Sequence, residues 1–295
     1  MTALKQMMMT QGTISNRTEM HSSVRSATEV LQQEIGQAGK ISLPAPPVTP
    51  VTLASAVTVT GAATQVTVGC AAVTGSCAAG MFTGEQLVIG PDTGCVSPAC
   101  PAGNRETVAL TAVAAATNQI TAIFDNVHAI GAPVMVMGAF ASGIVPTNKT
   151  NGSTPTVLKM YGDINGDGNM VYVEYTCDTV GGNLYRNVMP FTAATKPGLT
   201  SAMILLPNIQ ANPGGTPCFS YQQKTVGADT YVVNVAVTLT VQTENADPQT
   251  NQFQRETKAL LNVSPRNVFE GWELASGGVA NRIQPMPASV SALLQ

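Results

Sequence analysis

The segment DINGDGNMVYVE, residues 163 to 174, carries side chains whose types and spacing could bind calcium. Oxygen-bearing side chains at alternate positions, followed by a glutamate, supply the hard ligands that Ca²⁺ prefers, and a central glycine permits the sharp turn. The sequence therefore predicts a structural calcium loop with the ligands Asp163, Asn165, Asp167, Asn169 and Glu174.

The same segment is also typical of a β-hairpin turn. Asn-Gly at 165–166 and Asp-Gly at 167–168 are favoured turn pairs that need no metal. The following residues, VYVEYT, alternate like a β-strand, so the side chain of Glu174 can point away from the loop. An EF-hand, which needs flanking helices, is not expected. A structural Ca²⁺ and a metal-free turn both stay open, and either would stiffen the chain without performing chemistry.

No other residues form a recognisable catalytic set. His21 falls on a predicted helix and His128 in a predicted turn, and two isolated histidines supply neither a metal triad nor a base matched to a nucleophile. The sequence also lacks the motifs of nucleophile elbows, phosphate-binding loops and dinucleotide-binding turns. We therefore predict that the protein is not an enzyme and that it binds no cofactor other than the candidate Ca²⁺.

The composition narrows the class of partner. Charged residues make up 11% of the chain, compared with roughly 25% in an average soluble domain. The formal net charge of -3 provides no basic field that could neutralise a phosphate backbone. Nucleic acid is therefore excluded as an expected partner.

The cysteines favour disulfides and an oxidising compartment. None of the six falls in a Cys-x-x-Cys pair that would indicate zinc or a redox centre. We expect Cys177 to pair with Cys218, and the other four to pair among themselves, either as two local bridges or as cross-links between two loops. Buried thiols in a cytosolic protein are the alternative. The remaining four are Cys70, Cys77, Cys95 and Cys100.

The first residues predict a long amphipathic helix from about residue 3 to residue 38. Its apolar residues recur at spacings of three and four, which places them on one helix face, and Gly39 follows as a C-cap. The stripe consists of Met20, Val24, Ala27, Leu31, Ile35 and Ala38.

The rest of the chain predicts β-structure in two parts. Short, evenly spaced strands suggest a small barrel or sandwich at 52–146, with strands expected at 56–60, 65–70, 85–90, 106–113, 119–125 and 133–138. An antiparallel sheet is expected at 155–270, including a long alternating strand at 230–243. The predicted fold class is α+β, in which the helix of residues 1–43 packs on that sheet, the β module is inserted, and residues 271–295 are loosely held.

Three segments resemble type IV pilus assembly proteins of the PilW type. They are RTEMHSSVRSATEVLQQEIGQAGKI at 17–41, GDINGDGNMVYVEYTCD at 162–178 and ALLNVSPRNVF at 259–269. The resemblance implies a pilin-like fold and a structural role as a minor pilin or pseudopilin. In that family a prepilin leader and about 20 apolar residues precede this region and anchor the subunit in the inner membrane. The present sequence lacks both, so membrane contact is expected only through such a missing segment.

The resemblance sets the functional expectation. The chain would help to assemble, prime or cap a type IV pilus or related secretion filament. Its partners would be other minor or major pilins, and its location would be the periplasm and inner membrane or the cell-surface pilus of a bacterium. The alternative is a secreted, calcium-stabilised adhesive or carbohydrate-binding β protein.

Overall fold

The computed structural model describes residues 2–43, 50–70, 76–92 and 103–295. Its first element, α1 (Thr2–Gln37), covers the predicted helical span. The second half of α1 carries the predicted apolar stripe into the core, where all of its side chains are at most 8% exposed. In the described part of the chain, no helix combines the length and apolar character needed to cross a bilayer.

The β module is a six-stranded antiparallel sheet that nearly closes into a barrel. The sheet order is β1-β2-β5-β4-β3-β6, and the first and last strands meet because Val134 N–H donates to the Val51 carbonyl over 2.8 Å. The predicted strand at 56–60 is wrong, since Val57 forms only an isolated bridge to His128 there. The strands are β1 (Thr52–Leu53), β2 (Ala63–Gly69), β3 (Gln86–Ile89), β4 (Glu106–Ala114), β5 (Gln119–Ile123) and β6 (Val134–Val136).

After the short strand β7 (Ala139–Phe140), the chain forms a four-stranded antiparallel sheet of order β11-β10-β9-β8. β9 and β10 form a hairpin whose turn contains residues 181–182, and Asp178 and Asn183 are the first paired residues on either side of it. The strands are β8 (Val157–Gly162), β9 (Val171–Asp178), β10 (Asn183–Pro190) and β11 (Ile204–Pro207).

A third sheet is built around the longest strand, β14 (Asp229–Gln242). Its side chains at 235, 237, 239 and 241 are buried in one core, as the alternation in the sequence predicts. Val233, which an irregularity in the pairing with β13 leaves unpaired in that ladder, is instead buried with Tyr231 in another core. β14 pairs with β13 and β12 along one edge and with β15 along the other. The neighbouring strands are β12 (Ile209–Gln210), β13 (Phe219–Val226) and β15 (Arg255–Val263).

The predicted fold class, a pilin-like α+β fold with a long helix packed on a sheet, is wrong. The chain is mostly β, with 36% strand and 23% helix. The buried face of α1 shares one core with Leu158 and Tyr175 of the β8–β11 sheet and with Val235 and Leu239 of the β12–β15 sheet. Residues 155–270 therefore form two antiparallel sheets, and α1 lies against both. Alternation along a strand shows which residues are buried, but not which strands share a sheet.

The C-terminal segment is packed, so the expected loosely held tail at 271–295 is also wrong. Its elements are α2 (Arg266–Ser276), β16 (Ile283–Gln284) and α3 (Ala288–Leu293). Val290 and Leu293 are almost fully buried beside Tyr161 and Tyr172. Two apolar side chains one turn apart are thus enough to bury α3 against the β8–β11 sheet.

Two disulfides join described residues. Cys177 on β9 bonds to Cys218, the pair that the sequence analysis favours, across a separation of 41 residues. Cys70 bonds to Cys77 across 7 residues and forms a local bridge. Cys95 and Cys100 lie outside the described residues. Disulfides of this kind indicate an oxidising compartment.

We expect the longer disulfide to contribute more to stability. Cross-linking removes entropy from the unfolded chain, so replacing both Cys177 and Cys218 by Ala should lower the free energy of unfolding by about 4 kcal/mol, and replacing both Cys70 and Cys77 by about 2 kcal/mol. Urea denaturation of the two double variants would measure both losses. Equal losses, or a larger loss for the Cys70 and Cys77 variant, would contradict the loop-length argument.

Candidate functional site

The candidate calcium loop connects two paired strands and is therefore a hairpin loop. β8 ends at Gly162 and β9 begins at Val171, and these two residues are register partners. The loop thus has strands on both sides, in place of the helices of an EF-hand. Asp163 at its start is 1% exposed, whereas Asn165, Asp167 and Asn169 are exposed.

Asp163 uses both carboxylate oxygens within the protein. Oδ2 accepts hydrogen bonds from Lys40 Nζ and Ser42 Oγ, each over 2.7 Å, and Oδ1 accepts one from the Gly168 N–H over 3.2 Å. Burial raises the pKa of Asp163, but the bonds from Lys40 and Ser42 outweigh it and hold the pKa below its ordinary value. The carboxylate is therefore ionised, and it ties the loop to the segment that follows α1.

Glu174 lies in a different environment. It is the register partner of Lys159 on β8 and of Asn187 on β10. Its Oε2 accepts from Tyr172 Oη over 2.8 Å and lies 3.1 Å from Lys196 Nζ and 3.8 Å from Lys159 Nζ. Burial, partly offset by Glu174, lowers the pKa of Lys159. The Glu174 carboxylate is thus shared between two lysines.

The structure does not bring the five predicted calcium ligands together. Asp163 and Glu174 share no hydrogen-bond partner, and Asp167 Oδ1 accepts from the Asn169 N–H in a local turn. Across the described ranges, no group of three or more His, Cys, Asp or Glu side chains could hold a metal ion. Calcium binding by this loop stays a prediction.

The loop instead borders a tight backbone crossing, which we call the helix exit and define as Gly39, Lys40, Gly143 and Gly162. Gly39 N–H donates to the Tyr161 carbonyl over 2.9 Å, and Asp163 N–H donates to the Lys40 carbonyl over 2.8 Å. A Cβ on Gly143 would lie 2.1 Å from the Gly39 Cα, and one on Gly162 would lie 2.7 Å from the Lys40 carbonyl oxygen. Only glycine fits such a close approach of two backbones.

A second buried polar cluster surrounds His128 in the β module. Its Nδ1 lies 3.0 Å from Asp92 Oδ1, and its Nε2 lies 2.7 Å from Glu106 Oε1. Burial raises the pKa of Asp92, but hydrogen bonds from the Ala129 N–H, His128 and Asn104 hold it below its ordinary value. Both ring nitrogens of His128 face carboxylate oxygens, and the Asn104 amide nitrogen also lies 3.3 Å from Nδ1. Neither nitrogen is therefore free for acid or base catalysis.

No local pattern in the sequence indicates either cluster. Lys40 and Asp163 are 123 residues apart, and His128 and Asp92 are 36 residues apart. The other histidine, His21, pairs with Glu256 on the surface of α1. Within the described residues, neither cluster presents an activated nucleophile.

One further carboxyl group is buried without an opposite charge. Glu85, just before β3, is fully buried, and its Oε2 accepts from the Phe82 N–H over 3.2 Å. Its Oε1 has no hydrogen-bond partner among the described residues. Burial raises the pKa of Glu85 to about 8, against a smaller lowering by the Phe82 N–H. The side chain is therefore neutral at pH 7.

The first half of α1 forms an exposed apolar surface. It carries four large apolar side chains that are 60 to 70% exposed: Leu4, Met7, Met8 and Ile14. At 3.6 residues per turn, these four positions fall within about a third of the helix circumference. Contacts with the β14–β15 connection begin near Thr10, whose Oγ1 lies 3.4 Å from Gln249 Nε2. Phe253 in the same connection is 51% exposed. We call the four helix residues Leu4, Met7, Met8 and Ile14 the apolar helix surface.

A broad polar groove lies beside the second half of α1. Its volume is about 1260 Å³, and its walls are α1, the end of β15 and the tip of the candidate calcium loop. Gln33 and Gln37 of α1, Asn165 of the loop and Asn262 of β15 all line it. The groove is open and carries no catalytic arrangement.

Comparison with protein-family models, with curated protein sequences and with solved structures gives no match to this chain. We therefore infer the function from the geometry of the described residues.

We expect Asp163→Asn to weaken the helix exit. The amide cannot replace the ion pair with Lys40, so the free energy of unfolding should fall by about 1–3 kcal/mol at pH 7. Because the Asp163 pKa is lowered by folding, its contribution is present above the unfolded pKa and is lost as the pH falls through the folded value. The difference from the unmodified protein should therefore shrink towards pH 3. Urea denaturation at both pH values measures it, and the exposed Asp167→Asn is the matched control. A loss that is equal at pH 7 and pH 3 would contradict the role of the charge.

Glu85→Gln should remove a loss of unfolding free energy that occurs in the unmodified protein as the pH rises. Since folding raises the Glu85 pKa to about 8, the stability that its proton contributes is complete below the unfolded pKa and is lost as the pH rises towards 8. Between pH 5 and 8 the unmodified protein should lose about 1.4 kcal/mol per pH unit relative to the variant. Denaturation across this range would show converging or crossing curves. Parallel curves, or the same change in the exposed Glu19→Gln, would contradict the assignment.

Proposed function

We propose that this protein is a structural assembly subunit of an extracytoplasmic filament of the type IV pilus kind, with a role similar to that of a PilW-type minor pilin or pseudopilin. The observation that carries the proposal is the apolar helix surface on the first half of α1. The proposal does not depend on a pilin fold, since the chain is mostly β.

The apolar helix surface has the character of an interface. A contiguous exposed apolar area on one protein usually marks a surface that is covered by a partner. Two of its members, Met7 and Met8, are unbranched and adapt their shape to a neighbouring surface. An amphipathic helix commonly binds through apolar side chains spaced three and four residues apart. The proposed partner is a helix of a neighbouring subunit in the same filament.

The anchorage of α1 supports the same role. Its second half is fixed by the buried apolar stripe and by Glu34, whose Oε1 accepts from Arg186 Nε on β10 over 3.0 Å. A helix that is held rigidly at one end can present the other end to a partner without first becoming ordered, which reduces the entropic cost of binding. The sequence resemblance at 17–41 covers this anchored half.

Replacing the apolar helix surface should block assembly and leave folding intact. The triple variant Leu4→Gln, Met7→Gln, Met8→Gln removes side chains that each contribute about 1.5–3 kcal/mol when buried in an interface. We expect cells that carry it to show at least a tenfold reduction in surface filaments counted by electron microscopy, at an unchanged cellular level of the protein. The control is the variant Lys5→Gln, which changes an exposed polar residue of the same helix half.

A deletion strain separates the alternatives. If deleting the gene leaves the number of filaments unchanged, the assembly role is wrong, and a secreted adhesive becomes the better interpretation. If deletion removes filaments and the triple variant restores them fully, the role of the apolar helix surface is wrong.

A further inference from the structure

A second concave surface lies between the β module and the C-terminal segment. The cavity has a volume of about 460 Å³, within the range of roughly 300–1,000 Å³ that is usual for small-molecule sites. We call it the two-arginine cavity. Its lining comprises Val88, Arg105, Glu106, Thr107, Met137, Val279, Asn281 and Arg282.

The walls of the two-arginine cavity are held together by a buried side chain. Gln284 is fully buried; its Oε1 accepts from the Gln86 N–H over 2.9 Å, and its Nε2 donates to the carbonyls of Gln86 and Met137 over 2.9 and 3.0 Å. β16 also pairs in parallel with β7. The cavity is therefore pre-formed, and a ligand would not have to order it on binding.

The two guanidinium groups lack anionic partners. Within the described residues, neither Arg105 nor Arg282 lies within ion-pair distance of a carboxylate, and both are exposed. Arg105 Nη2 donates to Met137 Sδ over 2.9 Å, and a thioether is a weak acceptor. Four further N–H donors of the Arg105 guanidinium are not used by that contact.

The acidic side chain at the cavity does not cancel this charge. The Glu106 side chain is 7% exposed, and its oxygens accept from His128 Nε2 and from the backbone N–H groups of Asp125 and Asn126. The Glu106 oxygens thus accept their hydrogen bonds from His128 and from the backbone beside it. The residues that line the two-arginine cavity therefore carry two guanidinium groups and one carboxylate, a formal charge of +1 in a chain whose formal net charge is -3.

We propose that the two-arginine cavity binds a carboxylate-bearing ligand. The planar fork of an arginine matches a carboxylate with two parallel hydrogen bonds, and two such groups at one cavity favour an anion strongly over a neutral molecule. The Thr107 hydroxyl and the Asn281 amide supply polar partners for hydroxyl groups beside the carboxylate. The carboxylate can come from an acidic sugar or from a small organic acid. This site is independent of the assembly role, because it lies on a different part of the molecule from the apolar helix surface.

Titration of the full chain with chosen carboxylates tests the site. Glucuronate represents the acidic sugar, citrate the small organic acid, and glucose the neutral control, all at constant ionic strength in a calorimeter. We expect saturable binding of glucuronate that weakens at least about tenfold in Arg105→Ala and in Arg282→Ala. Lys258→Ala, which removes an exposed cation on β15, should leave the affinity unchanged. Thermal denaturation of each variant confirms that it is folded.

Each result of the titrations either supports or contradicts the proposed carboxylate site. Binding of citrate without glucuronate keeps the carboxylate site and identifies a small organic acid as its ligand. Three results would overturn the proposal: no saturable binding of either carboxylate at millimolar concentration, glucose binding equal to that of glucuronate, or full affinity in folded Arg105→Ala and Arg282→Ala variants.

Discussion

The close backbone crossing at the helix exit is the constraint on which the rest of the structure depends. Gly39, two residues after the end of α1, accepts the Phe140 N–H on its carbonyl, and Lys40 forms a bridge with Ala139. The helix is therefore joined directly to the strand that follows the β module. Val268 of α2 also approaches Gly39, at 2.7 Å from a Cβ placed there. The helix, the β module and the C-terminal segment all meet here. A single methyl group in this region would separate elements that the rest of the chain requires to be adjacent.

The few charges of the chain are used largely to join elements. Asp163 ties a hairpin loop to the helix exit, Glu34 ties α1 to Arg186 on β10, and His128 joins segments of the β module through two carboxylates. Breaking a buried pair leaves an uncompensated charge, which costs more than the pair itself contributes. These pairs therefore act mainly by making alternative arrangements unfavourable. Among the described residues Arg105 and Arg282 have no such ion pair.

The sequence predicts the local elements well because they depend on local pattern. The helix stripe from Met20 to Ala38 follows from the helical period, and the shared burial of residues 235, 237, 239 and 241 follows from alternation along β14. The division of residues 155–270 into two sheets was not predictable in this way, because strand pairing joins residues far apart in the sequence. Lys40 and Ser42 become partners of Asp163 only through the crossing of distant backbones. The calcium pattern in the loop is complete in sequence, yet pairing with Lys159 and Asn187 fixes Glu174 among lysines.

α1 is exposed along its first half and buried along its second half, and this arrangement also determines how the molecule would respond to a mechanical force. Consider a force applied to the first residues of α1 along the helix axis. The buried side chains from Met20 onward would resist this force together in shear, and they would not separate from the core one after another. The force then passes to the β8–β11 sheet through Glu34 and Arg186 and through the helix exit. From β9 it reaches the third sheet through the covalent bond between Cys177 and Cys218. α1 can thus transmit a pulling force to both sheets, and the disulfide bond makes the connection between those sheets covalent.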